Sequence, residues 1–199
     1  MKNSKEKTVV RQAQIIDAAL DAIAKDGFKG LTIASIAKKV GIANSNVYRH
    51  FSGREAIVDA IVTEVEKSLR EIISDSCSKN DLPSQCLGNI FLKHIEFLET
   101  HKGIPRVIFS DEMYSGNEEI IIRLRGIVKQ YMSEIKKVLK KGVADKEFDS
   151  ELDIDAAAMT FMGFIQSTAL QWILFRYSFS PKKRGEKMWK IYLRGIRAR

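Results

Sequence analysis

Proline is nearly absent, with three in 199 residues, at positions 83, 105 and 181. That excludes proline-rich linkers and leaves long helices easy to build. Cysteine is equally scarce. Cys77 and Cys86 are too few for a disulfide framework, so the expectation is two free thiols in a reducing cytoplasm, with a redox-switch pair as the lesser alternative. There are three histidines. His94 and His101 lie seven apart and can share a helix face, but no Cys/His/Asp/Glu cluster at ligand spacing accompanies them. They are expected at solvated or pocket-edge positions, and no metal or cofactor is expected. Period-two runs are missing, which argues against a sheet. No nucleophile–base pair, phosphate loop or metal motif is present, so no enzyme is expected. The opening residues, MKNSKEKTVVRQ, lack the apolar run of an export signal, which fits a cytoplasmic protein.

What is present is 45% hydrophobic and 29% charged, enough for a substantial core. The net charge of +8 is unevenly spread. Residues 1–54 carry 10 Lys/Arg against 4 Asp/Glu, and residues 181–199 carry 8 against 1. The stretch between them is net acidic. Basic ends around an acidic middle point to a polyanionic partner. Residues 156–175, AAAMTFMGFIQSTALQWILF, hold no charge and approach the length of a membrane span of ~20 residues. Thr160, Gln166, Ser167, Thr168 and Gln171 interrupt the run. A buried helix at a core or subunit interface is the favoured reading, with no membrane as partner.

Helical periodicity runs through nearly the whole chain, so the expected fold is all-α. Ile16, Ala19, Leu20, Ile23 and Ala24 stripe a first helix from about Lys7 to Asp26. Gly27 offers it a left-handed stop and Phe28 folds back on the stripe. Thr32 is the N-cap of a second helix that ends at Gly41. A third runs from about Asn44 to Phe51. Ser52-Gly-Arg-Glu55 has capping-box spacing and opens a long helix to about Ser78. After a break at Asn80–Pro83, helices are expected at about Ser84–Thr100 and Gly103–Met113. Asn117 caps another, ending at Lys140-Lys141-Gly142. Asp153 or Ser150 precedes a helix of about 154–177, and Ser180-Pro181 opens the last.

Thr32 to Phe51, TIASIAKKVGIANSNVYRHF, is the most informative stretch. Ile33, Ile36, Ala37 and Val40 share one face, and Val47 and Phe51 share another. With Ile42 in the turn, they can pack two short helices together. Asn44, Ser45, Asn46, Tyr48 and Arg49 are then left pointing outward. Amides, a hydroxyl, a phenol and a guanidinium on a short helix suit a DNA major groove. Lys2, Lys5, Lys7 and Arg11 form a basic arm suited to backbone attraction.

These residues carry a resemblance. Gly30-Leu31-Thr32, Ile36-Ala37, Gly41-Ile42, Tyr48-Arg49-His50-Phe51, then Arg54 and Glu55, make the first third of the chain similar to the TetR (tetracycline-repressor) family of bacterial transcriptional regulators. The resemblance implies a three-helix helix-turn-helix head, here residues 1–52. A helical effector-binding and dimerisation domain, 53–199, would follow. It implies a homodimer on double-stranded DNA with a palindromic operator, released by a small-molecule effector. Carried over by position, Asn44, Ser45, Asn46 and Arg49 are the base-edge candidates, and Thr32, Tyr48, His50 and Arg54 the phosphate contacts. The chain departs from the family at Ser45, Asn46 and Ala34, which implies a different operator and leaves Ala34 out of the contacts.

For the effector, the soft and aromatic side chains Phe91, Phe109, Met113, Tyr131 and Met162 are candidates, with His94 and Gln166 as orienting polar groups. That set suggests a mainly apolar ligand. The basic C-terminal helix, with Trp189, Tyr192, Leu193 and Ile196 near its other side, is expected to pack in the dimer. The alternative is a helical lipid-binding or membrane-surface protein that uses this helix.

Overall fold

The computed structural model describes residues 2–198, and side chains from Thr8 onward. Ten α-helices are found among them: α1 (Lys2–Asp26), α2 (Ile33–Val40), α3 (Asn44–Tyr48), α4 (Arg54–Ser74), α5 (Pro83–Thr100), α6 (Gly103–Ile108), α7 (Asp111–Ser115), α8 (Glu118–Ala144), α9 (Ile154–Leu174) and α10 (Pro181–Ile196). A 3-10 turn spans Gly27–Gly30. Among the described residues the only extended pairing is an isolated bridge between Phe148 and Arg197. The expected side chains of the basic arm, Lys2, Lys5 and Lys7, lie outside the described residues. Arg11 is half-buried.

The chain forms two compact units, 1–65 with 101–122, and 66–100 with 123–199. Helices α4 and α8 supply residues to both.

In the first unit, Ile15, Ala19 and Ile23 repeat every four residues and are fully buried. Phe28, Leu31, Ile36, Val47, Phe51, Ile57 and Ile61 complete a core with Ile104 and Val107. Burying each large side chain contributes roughly 1.5–3 kcal/mol. The segment expected as one helix to Met113 is two, α6 and α7. Ser110 causes the break, because its hydroxyl accepts from the Met113 N–H at 3.2 Å and caps α7. The long helix starts at Arg54 rather than Ser52. The Gly53 carbonyl accepts from the Ile57 N–H at 3.3 Å, which moves the cap position one residue on.

In the second unit, α5, α9 and α10 meet through aromatic rings. Phe91 sits 5.4 Å from Phe161, edge to face, and 5.8 Å from Trp189. Tyr192 meets Phe161 at 5.7 Å, and its hydroxyl donates to the Ala157 carbonyl at 3.0 Å. Burial pushes that phenol well above its ordinary range. The N-terminus of α5 is capped from a distance: the Ser84 N–H donates to Glu147 Oε2 at 3.0 Å, and the Ser84 hydroxyl to Oε1.

Two expectations change here. Gly142 does not end α8, which runs on to Ala144. A Cβ at 142 would lie 2.1 Å from the Phe148 ring, so the glycine makes room for a buried phenylalanine inside the last turn. Cys77 and Cys86 are not free thiols but a disulfide, with Cα atoms 4.7 Å apart. The chain reverses between them: the Ser78 N–H donates to Asp81 Oδ2 at 2.8 Å, and the Asp81 N–H to the Ser78 carbonyl at 3.1 Å. Two cysteines cannot make a framework, but such a turn lets them meet.

The uncharged run of α9 is buried along Ala158, Phe161, Ile165, Ala169 and Trp172. Its other side exposes Met159, Gln166, Leu170 and Leu174, three of them apolar. No helix among the described residues is long and apolar enough to cross a membrane.

Candidate functional site

The helix pair is built by local bonds. Thr32 caps α2, accepting from the Ser35 N–H at 3.0 Å, while the Ser35 hydroxyl accepts from the Thr32 N–H at 3.3 Å. The same Ser35 hydroxyl donates to the Gly30 carbonyl at 2.7 Å, tying the helix start to the preceding turn. Gly41 adopts φ 74° and ψ 38°. Only glycine takes that left-handed conformation without strain. The Ile42 N–H then reaches back to the Ala37 carbonyl at 3.0 Å, closing the turn in the Schellman manner.

Val47 is fully buried and Phe51 nearly so. They hold α3 against α2 through Ile36 and Ala37, in the packing the periodicity predicts. α3 is shorter than expected, ending at Tyr48, because the Val47 carbonyl takes both the His50 and Phe51 N–H groups and tightens the last turn. Asn44, Ser45, Asn46 and Arg49 are exposed, and Tyr48 is 56% exposed. His50 is half-buried and Thr32 exposed. Arg54 has a second duty. Its Nη2 donates to the Phe28 carbonyl at 2.9 Å, and its guanidinium lies 5.1 Å from the centre of the Phe28 ring. One edge of this cation therefore fastens α4 to the turn after α1.

The seven effector candidates fall in different places. Phe109 and Met113 belong to the first unit. There Met113 lines a cleft of about 300 Å³ with Phe28, Arg54, Val58 and Ile120. Phe91 is in the α5–α9–α10 core. Met162 is half-buried on α9, and Gln166 is exposed on that helix's outer stripe. His94 and Tyr131 do come together. His94 Nδ1 and the Tyr131 hydroxyl are 2.9 Å apart, with the rings edge to face. Both are buried, and burial pushes the imidazole down to about 4 and the phenol up. The imidazole is therefore neutral at pH 7.

Tyr131 also lines a cleft of about 220 Å³ with Leu69, Ile73 and Ile127. Periodicity alone did not reveal the ion pairs of Glu66, which lines this cleft with Arg70 and Glu134. Glu66 accepts from Arg70 at 2.8 Å and from Arg123 at 3.1 Å. The two guanidiniums, Arg70 first, hold the Glu66 carboxyl below the ordinary carboxylate range. A further cleft of about 370 Å³ lies beside the exposed α9 stripe, lined by Ala156, Thr160, Phe164, Ile191 and Gly195.

Known proteins share this fold. The family description "Bacterial regulatory proteins, tetR family" matches residues 15–61, and "YsiA-like protein, C-terminal region" matches residues 62–195. The chain is a TetR-family regulator. Among its relatives, the fatty acid metabolism regulator protein of Bacillus subtilis is 25% identical over 161 residues, covering 81% of this chain and 82% of that one. A ketosteroid transcriptional regulator of Mycobacterium tuberculosis superimposes with a TM-score of 0.81 at 20% identity, covering 95% of this chain and 96% of that one. The regulator FadR from Bacillus subtilis, solved with stearoyl-CoA, superimposes at 0.75 and 23% identity, covering 92% and 98%. This TetR-family regulator is thus a ligand-responsive, DNA-binding transcription regulator that works as a homodimer. The Thr32–Phe51 pair is its helix-turn-helix.

Proposed function

We propose that the protein is a non-enzymatic cytoplasmic repressor that binds a pseudo-palindromic operator and is released by an acyl-CoA. The observation that carries the DNA half is the exposed face of α3, held in place by buried Val47 and Phe51. Asn44, Ser45, Asn46 and Arg49 read base edges, with asparagine suited to adenine and arginine to guanine. Thr32, Tyr48, His50 and the free edge of Arg54 hold phosphates. Residues 1–52 thus read DNA, and residues 53–199 bind effector and form the dimer. The two heads of a dimer span half-sites about one helical turn apart, ~34–36 Å.

The effector half rests on the body. The cleft beside Tyr131 has an apolar floor of Leu69, Ile73 and Ile127 and a polar rim that includes Glu66, Arg70, Gln130 and Glu134, a composition suited to a small molecule with an apolar and a polar part. The likeness to the fatty-acid regulator of Bacillus subtilis, which was solved with stearoyl-CoA, points to an acyl ligand. At about 220 Å³ the cleft is smaller than typical ligand pockets of roughly 300–1,000 Å³, so a long acyl chain has to open it. Opening on binding is what a ligand-dependent shift between two states requires. The exposed Met159, Leu170 and Leu174 of α9, with Ile191 of α10, supply the dimer face.

The test is a gel shift with DNA from upstream of the protein's own gene, with and without stearoyl-CoA. A shifted band that the acyl-CoA dissolves is expected. No shift of any such fragment at low salt overturns the DNA reading, and a shift indifferent to acyl-CoA overturns the effector.

A further inference from the structure

Cys77 and Cys86 form a disulfide in a protein read above as cytoplasmic. A reducing compartment keeps protein thiols reduced unless the pair is catalytic or senses redox change. In a transcription regulator, sensing is the use that fits. The two cysteines are unequal. Cys77 is exposed in the turn after α4, within reach of oxidants and reductants, whereas Cys86 is buried in the first turn of α5 and shielded from them. Hydrogen bonds bring the sulfurs together without help from the disulfide. From α5, Asn89 Nδ2 donates to the Ser76 carbonyl at 3.2 Å and Lys93 Nζ to the Asp75 carbonyl at 2.6 Å, while Asp81 closes the turn onto Ser78. Reduced thiols therefore stay neighbours, as a reversible pair requires. Two of these bonds, from Lys93 and to Asp81, are exposed, so water competes for them and the turn opens readily once the covalent link is gone. Ser76 favours that opening. Its buried hydroxyl has no partner among the described residues, and a buried donor left unpaired is unfavourable.

The turn also borders the effector cleft. Ile73 and Ser74, in the last turn of α4, line the 220 Å³ space together with Ile127, Gln130 and Tyr131 of α8. The disulfide ties the end of α4 to the start of α5, and Ser84 ties that start to Glu147, just past the end of α8. The two helices that wall the cleft are thus linked at one end, and the disulfide is the covalent member of the link. We propose that Cys77 and Cys86 are a redox switch on this cleft: the disulfide holds it narrow, and the dithiol lets α4 give way to an acyl chain. This deepens the acyl-CoA reading above and rests on it. The oxidant is a hydroperoxide, ROOH. The Cys77 thiolate attacks its outer oxygen, the O–O bond breaks, and Cys77 sulfenic acid forms as ROH leaves. The Cys86 thiolate then attacks Cys77 Sγ, the S–O bond breaks, and hydroxide leaves as water with the remaining thiol proton. Two thiols and ROOH thus become a disulfide, ROH and water, with two electrons passing from sulfur to oxygen. Two glutathione thiols reverse it by exchange, yielding the dithiol and glutathione disulfide. Oxidised protein then stays on its operator when acyl-CoA is present, and reduced protein responds to it.

The experiment is calorimetric titration of the full-length protein with stearoyl-CoA. The samples are wild type treated with hydrogen peroxide, wild type reduced with dithiothreitol, and the Cys77→Ser/Cys86→Ser double variant with and without peroxide. Mass spectrometry reads the thiol state of each, and thermal unfolding checks the fold. Peroxide should yield the Cys77–Cys86 disulfide, and glutathione should reduce it. Oxidised wild type should bind stearoyl-CoA at least about tenfold more weakly than reduced wild type, because the open form is a smaller fraction of the protein. The double variant should bind like reduced wild type and ignore peroxide. Equal or tighter binding by the oxidised form overturns the switch and leaves the acyl-CoA reading standing. Oxidation of Cys77 to sulfinic acid without a disulfide overturns the pair. A disulfide that glutathione leaves intact is a structural staple and overturns the switch as well. A protein that binds stearoyl-CoA in neither redox state overturns the acyl-CoA reading, and the gate with it. Should the double variant unfold, the two wild-type states decide the matter without it, and Cys77→Ser alone supplies the peroxide-insensitive control.

Discussion

The reading head and the effector body are held together by bonds of very different reach. In the head, the contacts that shape the site join near neighbours: Thr32 with Ser35, Ser35 with Gly30 five residues back, and Ile42 with Ala37. In the body, the contacts that matter join residues far apart. Glu66 meets Arg123 across 57 positions, Ser84 meets Glu147 across 63, and His94 meets Tyr131 across 37. A short-range site is written as a motif. A long-range site exists only once the helices have packed. The head's motif is therefore visible along the chain, while the body's long-range pairs are hidden among ordinary core residues.

The most severe way to break the comparison is to hollow the head's core. Phe51→Ala should cost about 3–5 kcal/mol, because a buried ring is lost and the cavity refills poorly. Thermal unfolding should show the head's transition lowered, and operator binding should go with it. Nearly as large is a pH effect confined to the body. His94 has its folded value depressed to about 4 by burial, below its ordinary 6.5. Between those values the unfolded chain binds a proton that the folded chain does not, so stability falls as pH falls. The loss starts below pH 6.5 and is complete near pH 4, reaching about 3 kcal/mol. Denaturant melts across that window check it, and His94→Leu should flatten the slope. Smaller again is Gly142→Ala, at about 1–3 kcal/mol, because the new methyl meets the Phe148 ring. A measured cost near zero would mean that Phe148 has room to move.

How much of each region was legible follows from the same contrast. Thr32 as cap, Gly41 as left-handed turn and Val47 with Phe51 as the packed face all follow from spacing, since each partner lies within a few residues. The caps at Asn117, Asp153 and Ser180 follow for the same reason: each accepts from an N–H two or three residues on. Gly142 misled because a glycine after two lysines has the pattern of a helix end, and the ring that explains it arrives six residues later. The disulfide was missed because residue count says nothing about a turn that folds back on itself. His94 and Tyr131 were each singled out for polarity or bulk, but nothing along the chain pairs them. Arg54 was legible as a basic position but not as a strut, since its partner carbonyl lies 26 residues upstream.

Within the head, base reading and backbone holding can be pulled apart. Arg49→Ala should remove about 1–3 kcal/mol of discrimination at particular base pairs. Arg54→Ala should weaken all sequences alike, flatten the salt dependence and lower the melting temperature, because it also loses the bond to Phe28. Anisotropy titrations against an operator and its single-base variants separate the two patterns. Uniform weakening by both would mean that Arg49 does not read bases.

The finest test falls on Thr32, where one hydroxyl is proposed to do two things. It accepts from the Ser35 N–H to cap α2, and it is exposed where a DNA phosphate is expected. Thr32→Ala removes both and should cost about 1 kcal/mol of stability as well as DNA affinity. Thr32→Asp separates them, because aspartate caps at least as well as threonine and its charge suits a helix N-terminus. Stability should hold or rise slightly, while the carboxylate repels the phosphate and binding weakens, most of all at low salt. Should Thr32→Asp keep wild-type affinity for DNA, Thr32 is a cap and nothing more, and the phosphate contacts reduce to Tyr48, His50 and Arg54.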